Sequence, residues 1–193
     1  LDNLWDGLGA LIHSNKNARY FVGKVTIYKE YPTVARELIY EYMFRYFPDA
    51  DQLITPKLPI VVSSKTKKAA QKLFTSKDAS SDYKALQKAV RNEGDSIPPL
   101  FNAYIGLSDT MRMFGSMIDH DFSSTFETGI MVTMADLLET KKKRYIEPYI
   151  EYLKIVIEER KKAKKLAKEQ REARSLERKM KKEEKKATKK RDK

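Results

Sequence analysis

The stretch Ser96 to Thr133, SIPPLFNAYIGLSDTMRMFGSMIDHDFSSTFETGIMVT, decides how this chain is read. Pro98 and Pro99 hold the chain before them extended, because a residue preceding proline avoids the helical region. Leu100, Tyr104, Ile105 and Leu107 then recur at helical spacing, and Asp109-Thr110 ends that segment. Met111 to Ile118 is apolar with Gly115 inside it, the pattern of a strand carrying a bulge. Asp119-His120-Asp121 reads as a turn. Phe126 to Met134 reads as a second strand, pairing antiparallel with the first. Asp136 is then placed to cap a following helix.

Upstream, ARYFVGKVTIY (18–28) is rich in β-branched and aromatic residues and predicts a strand, with Gly23 marking a bulge or a close backbone approach. PTVARELIYEYMFRYF (32–47) predicts a helix opened by proline, with Val34, Leu38, Ile39, Met43, Phe44 and Phe47 as its apolar face. The first residues, LDNLWDGLGALIHSN, predict another helix, capped by Asp2 or Asn3, with Leu4, Leu8, Leu11 and Ile12 on one face beside Trp5. A helical pattern that starts this abruptly implies further sequence upstream. Ile60 to Val62 is a candidate short strand. Ser63 to Lys77 and a segment capped by Ser80 or Ser81 and closed at Gly94 are amphipathic helices whose lysines read as a solvated face. The fold class is α+β.

The chain carries a net +12, and the charge is local. From Lys154 onward there are 19 basic and 8 acidic residues, leaving +1 for residues 1–153. Two regions follow: a folded domain over 1–153, long enough for its own core, and a basic helical or disordered tail over 154–193. Pro148 kinks or restarts the helix that leads into the tail. In the tail, Leu166, Leu176 and Met180 are too sparse for a heptad seam, while pairs such as Glu158 with Lys162 support a solvated helix. There is no cysteine, which excludes disulfides, thiolate metal sites and a cysteine nucleophile. The two histidines are far apart in sequence, so metal binding is not expected. No apolar run approaches the roughly 18 residues of a spanning helix, and no signal peptide is visible at the start.

Four segments in order, ARYFVGKVTIYKEYPTVARELI (18–39), NEGDSIPPLFNAYIGL (92–107), MRMFGSMIDHDF (111–122) and FETGIMVTMADL (126–137), carry a family resemblance. They share an RYxxGxVxI…Y strand at Arg19 to Tyr31, IPPL…Y…L at Ile97 to Leu107, Phe114-Gly115, and Asp121-Phe122 before the last strand. Over residues 1–138 the chain resembles the C-terminal half of the hemolysin-like acyltransferases. These include the ornithine- and glycine-lipid N-acyltransferases and are relatives of the GNAT fold. The resemblance implies the C-terminal half of a GNAT-like mixed sheet with flanking helices, plus the charged C-terminal helix. It implies transfer of a fatty acyl group, often 3-hydroxyacyl, from acyl carrier protein to an amino-acid α-amine, with no permanently bound cofactor. It also implies that these residues alone form an incomplete catalyst.

Such chemistry needs a base for the ammonium and donors for an oxyanion. Glu127, Asp119 and His120 are the candidate bases or ammonium anchors, and Tyr31 the candidate substrate-binding donor to the leaving sulfur. Each also has a structural reading: Glu127 as a strand-start residue, Asp119 and His120 as a surface turn, Tyr31 as packing. The tail suits an anionic membrane surface, where each Lys or Arg contributes about 1 kcal/mol, or the acidic carrier protein. That implies a cytoplasmic protein peripheral to the inner face of the membrane. The alternative is a non-catalytic basic module binding nucleic acid or an acidic partner. After Tyr152 the tail has no aromatic residues for base stacking, so specific nucleic-acid recognition is not expected.

Overall fold

The computed structural model describes residues 2–15, 17–76 and 78–191, with side-chain environments for 6–15, 17–76 and 78–175. It divides into two compact units, residues 15–142 and residues 1–14 with 143–193. The environments expected for Leu4, Trp5, Leu176 and Met180, the capping role of Asp2 or Asn3, and Lys77 lie outside the described residues.

The unit of residues 15–142 is built on a three-stranded antiparallel sheet in the order β1-β3-β2, with β1 Tyr20–Ile27, β2 Arg112–Asp119 and β3 Thr125–Thr133. The α+β expectation holds. The strands are antiparallel throughout, and among the described residues the parallel contact is the isolated bridge between Pro48 and Met113. Hydrophobic alternation fixes the register, since a slip by one residue would exchange the two faces. Val25 and Ile27 on β1 share a face with Ile130 and Val132 on β3, and all four are buried. Gly115, with φ +97°, sits where the β2–β3 register shifts between Met113 and Ser116, so the expected bulge is present. A Cβ there would also press on Pro56, 3.2 Å away. Gly23 is a close approach: its missing Cβ would lie 3.1 Å from the Tyr104 hydroxyl.

Helix α2, Thr33–Tyr46, lies against the sheet and buries most of its circumference, including Ala35, Leu38, Ile39, Tyr40 and Met43. Val34 and Phe44, expected in the core, are exposed instead. Arg36 and Glu37 take buried places, so the apolar face is rotated from the one the hydrophobic residues outline. Helices α3, Ser64–Leu73, and α4, Ala79–Asn92, pack on α2. The cap of α4 is Asp78, which accepts from Ser81 N, rather than Ser80 or Ser81. Helix α5, Pro99–Ile105, buries Phe101 and Tyr104 and leaves Leu100 and Ile105 half-buried.

Ile60 to Val62 forms no strand. Pro59 makes a single bridge to Met117 and Ile60 N donates to Ser116 O at 2.9 Å, while Met113 N donates to Phe47 O at 2.8 Å. The outer edge of β2 is therefore occupied in part. Among the described residues no strand pairs with the outer edge of β1. Asp136 does not cap a helix: it closes a 3-10 turn, Met134–Asp136, and accepts from Thr110 Oγ1 at 2.6 Å. The next helix, α6, runs Glu139–Tyr145.

In the second unit, α1 is Asp2–Ser14 and α7 is Glu147–Arg191, a 45-residue helix. Pro148 falls in the first turn of α7 and restarts the helix after the break at Ile146. Gly9 is required: a Cβ would overlap the Tyr145 carbonyl. The His13 and Tyr149 rings meet edge to face at 5.9 Å. Leu11, expected on the apolar face of α1, is exposed. Along α7 the ion pairs run Glu158 to Lys161 at 3.3 Å, Lys165 to Glu169 and Lys168 to Glu172. Among the described residues no helix is long and apolar enough to cross a membrane.

Candidate functional site

Opposite strand positions in an antiparallel pair bring side chains into direct contact. Here Thr26 faces Glu127, which faces Met117, and Thr125 faces Asp119. The result is a polar cluster on the sheet face away from Val25 and Ile27. Glu127 is 7% exposed. Thr26 Oγ1 lies 2.9 Å from both its carboxylate oxygens, and Thr125 Oγ1, whose hydroxyl is 2.9 Å from the Phe122 carbonyl, lies 3.2 Å from Oε1. Lys24 Nζ reaches Oε1 at 3.4 Å and Asp119 Oδ2 at 3.9 Å, and rests over the Phe122 ring at 5.6 Å. A buried carboxylate needs such partners, since desolvating it alone costs several kcal/mol.

The other expected residues divide around that cluster. Asp119 joins it through Lys24, while its Oδ1 accepts the backbone N–H groups of Asp121 and Phe122 at 3.1 Å each and so holds the β2–β3 turn. Ser123 and Ser124 complete that turn at positive φ. His120 is exposed, its Nδ1 lying 3.5 Å from Ser124 Oγ. Tyr31 is elsewhere: its hydroxyl donates to the Ser96 carbonyl at 2.8 Å. Burial, then the nearby negative charge of Asp95, raises its pKa above the ordinary tyrosine value.

Tyr31 forms one wall of a cleft of about 500 Å³ beside the end of β1. Ile27, Tyr28, Pro98, Pro99 and Leu100 supply apolar walls, Glu30 and Asp95 two carboxylates. Thr26 lines the cleft and also binds Glu127, so it joins the two features. The proline-fixed entry to α5 thus builds a wall of the cleft. Among the described residues no group of three or more His, Cys, Asp or Glu could hold a metal ion.

The sheet's other face holds polar groups of a different kind. Arg36 is 7% exposed, and its guanidinium carbon lies 3.5 Å above the Phe126 ring centroid. Its Nε is buried without a hydrogen-bond partner among the described residues. Tyr40, one turn later on α2, also has a buried, unpartnered hydroxyl. Ser116 and Thr128, which share a hydrogen bond of 2.7 Å, approach it without hydrogen-bond geometry. Burial raises the Tyr40 pKa; Ser116, Thr128 and the Arg36 charge oppose this and Glu127 adds to it. Lys24, Thr26, Thr125, Arg36 and Tyr40 were not singled out by sequence. Period-two counting from Glu127 across a paired strand would have found the first three, once the register was known.

The chain is similar to proteins described as glycine N(alpha)-acyltransferase. That of Phocaeicola vulgatus is 45% identical over 150 residues, covering 78% of this chain and 46% of its own. That of Bacteroides thetaiotaomicron is 42% identical over 151 residues, covering 78% of this chain and 44% of its own. The chain thus spans less than half the length of the curated relatives it matches. No family model and no solved structure matches it.

Proposed function

We propose that this chain is part of an N-acyltransferase that moves a fatty acyl group from a thioester to the α-amine of an amino acid, with glycine as acceptor. The observation that carries this is the 42–45% identity, over 78% of the chain, to two proteins described as glycine N(alpha)-acyltransferase. That span takes in the residues around Glu127 or most of the sheet that holds them, since so little of the chain lies outside it.

The chemistry fits the Glu127 cluster. An amino acid arrives as an ammonium, which must lose a proton before its nitrogen attacks the thioester carbon. Glu127, sheltered and oriented by Thr26 and Thr125, takes that proton and passes it to solvent. The C–N bond forms, the tetrahedral intermediate collapses, the C–S bond breaks, and the second nitrogen proton ends on the departing sulfur. Lys24 Nζ occupies the place an acceptor ammonium would take, and it is 61% exposed, free to swing aside. Asp119 holds Lys24 from the far side and serves the acceptor as a secondary anchor; His120 lies at the rim of the same turn. The cleft beyond Thr26 takes the apolar thioester arm, with Tyr31 as one of its walls.

The family resemblance extends this reading. The donor is acyl carrier protein, the fold is the C-terminal half of a GNAT-like acyltransferase, and the product enters aminolipid synthesis. The basic charge of helix α7 supports a location on the anionic inner face of the membrane from the cytoplasmic side, with its lysines drawn to lipid phosphates.

The test uses the protein extended from its own coding sequence to the length of its relatives. It is incubated with acyl-loaded carrier protein and glycine, and the product is read by mass spectrometry. N-acylglycine formation is expected. Hydrolysis of the thioester alone, or no reaction with glycine or any other amino acid, would overturn the proposal.

A further inference from the structure

Buried guanidinium groups are almost always met by a carboxylate or a set of carbonyls, because leaving one unpaired costs free energy. Arg36 departs from that rule. Its guanidinium stacks on the Phe126 ring and feels the Glu37 charge, but its Nε is buried and unpartnered, and among the described residues no ion pair or side-chain hydrogen bond reaches it. The neighbouring carboxylate favours the charge without pairing with it: Glu37 accepts from Ser63 Oγ at 2.7 Å, towards α3, and forms no ion pair with Arg36. Since only Nε is both buried and unpartnered, the terminal Nη atoms hold the residual exposure. The fork is thus sealed at its base and less so at its tip.

The surroundings favour an anion at that fork. Arg36 lies in the first turn and a half of α2, whose N-terminus has no side-chain cap and no acidic residue in its first turn. Helical side chains lean toward the N-terminus, so the guanidinium adds to the positive end of the helix dipole. Phe126 pairs across the strands with Ile27, which lines the cleft. Arg36 is thus one strand position from the cleft wall.

We infer that Arg36 is a receptor for an oxyanion carried by one of the two reactants, held on the helix side of the sheet. A planar guanidinium takes a carboxylate or a phosphate through two parallel N–H donors. Phe126 and Glu127 are successive residues of β3 and point to opposite faces. One glycine molecule cannot bridge the sheet, so the anion at Arg36 belongs to the donor while Glu127 attends to the amine. The phosphate of a phosphopantetheine arm has that chemistry. Glu30 and Asp95, elsewhere on the cleft wall, disfavour a phosphate there. This inference takes its candidate ligands from the acyl-transfer reading, but its test does not depend on turnover.

The test is an NMR titration of the intact chain labelled with 15N-arginine, following the Nε–Hε signal of Arg36, assigned through its backbone resonances. The probes are phosphopantetheine against pantetheine, and glycine against glycinamide. A saturable shift with phosphopantetheine and not pantetheine is the expected result. A shift with glycine and not glycinamide would keep the oxyanion receptor and reassign its source to the acceptor. No saturable shift with either anion would overturn the inference. An Arg36→Lys chain with an unchanged melting temperature is expected to lose the saturable response, reported by backbone amides around Phe126. Retention of that response would also overturn it. Binding without acyl transfer in the product assay would sink the proposed activity and leave the receptor standing. Transfer without binding would do the reverse.

Discussion

Glu127 and Arg36 are the same distance from water, each 7% exposed, and their side chains lie on opposite faces of one small sheet. Their surroundings differ completely. Glu127 is met by two threonine hydroxyls and a lysine ammonium. Arg36 is met by an aromatic ring and, without an ion pair or side-chain hydrogen bond, by the charge of Glu37 beside it. The first is a charge whose partners hold it in one place, as a proton acceptor must be held. The second is a charge whose desolvation is met by little within the chain, which is the state of a binding group. Burial alone would rank them equal; the partners separate them.

Removing each charge sharpens that difference, and the largest effect belongs to Glu127. Glu127→Ala removes the acceptor of the half-buried Thr26 hydroxyl and the buried partner of Lys24, and is expected to destabilise the fold by about 2 kcal/mol, read by urea denaturation. Stability equal to the parent would mean that the cluster is solvated. Arg36→Met replaces an unpaired buried charge with an apolar chain of similar length. It is expected to stabilise by about 1 kcal/mol in the same experiment, and a loss of that size would show that Arg36 has partners after all.

Glu37 offers a third buried charge, next to Arg36 and satisfied like Glu127. Burial raises its pKa, but hydrogen bonds from Thr66 and Ser63 and the Arg36 charge outweigh this and leave it below the ordinary glutamate value. A carboxylate with a lowered folded pKa stabilises above its unfolded pKa of about 4.3, and that contribution disappears as pH falls through the folded value. Glu37→Gln should therefore cost about 1 kcal/mol at pH 7 and progressively less below about pH 4. A deficit independent of pH would assign the loss to packing. The smallest effect is expected from Lys24→Met. An exposed ion pair is worth at most about 0.5–1 kcal/mol, so its melting temperature should scarcely move, and a large drop would make Lys24 a structural member of the cluster.

Much of the fold was legible because its signals are local. Gly115 within an apolar run marked the bulge, Pro98-Pro99 marked the extended entry to α5, and Pro148 marked the restart of α7. Ile60 to Val62 misled because an apolar β-branched run does not say whether a strand edge is free to receive it; here Pro59 makes the one bridge to β2 and Ile60 adds a single hydrogen bond. Asp78 was passed over as a cap in favour of serines that lie inside the first turn. Of the candidate site, Glu127 and Asp119 were visible as acidic residues at strand ends. Their partners Lys24 and Thr26 depend on pairing between residues about a hundred positions apart, which no local pattern encodes, while Thr125 lies two residues before Glu127 on the same strand. Arg36 was hidden for the opposite reason. A charged residue in an amphipathic helix is assigned to solvent by default, and only its burial beneath the sheet reveals otherwise.

The central claim, that Glu127 removes the acceptor proton in an acyl transfer to glycine, is tested most directly by the rate of N-acylglycine formation with Glu127→Gln. The variant keeps the volume and the hydrogen-bonding reach of the side chain while losing its basicity. A fall in kcat of at least about 100-fold, with the melting temperature held within a few degrees of the parent, is the expected result. An unchanged kcat in a protein that still folds would contradict it.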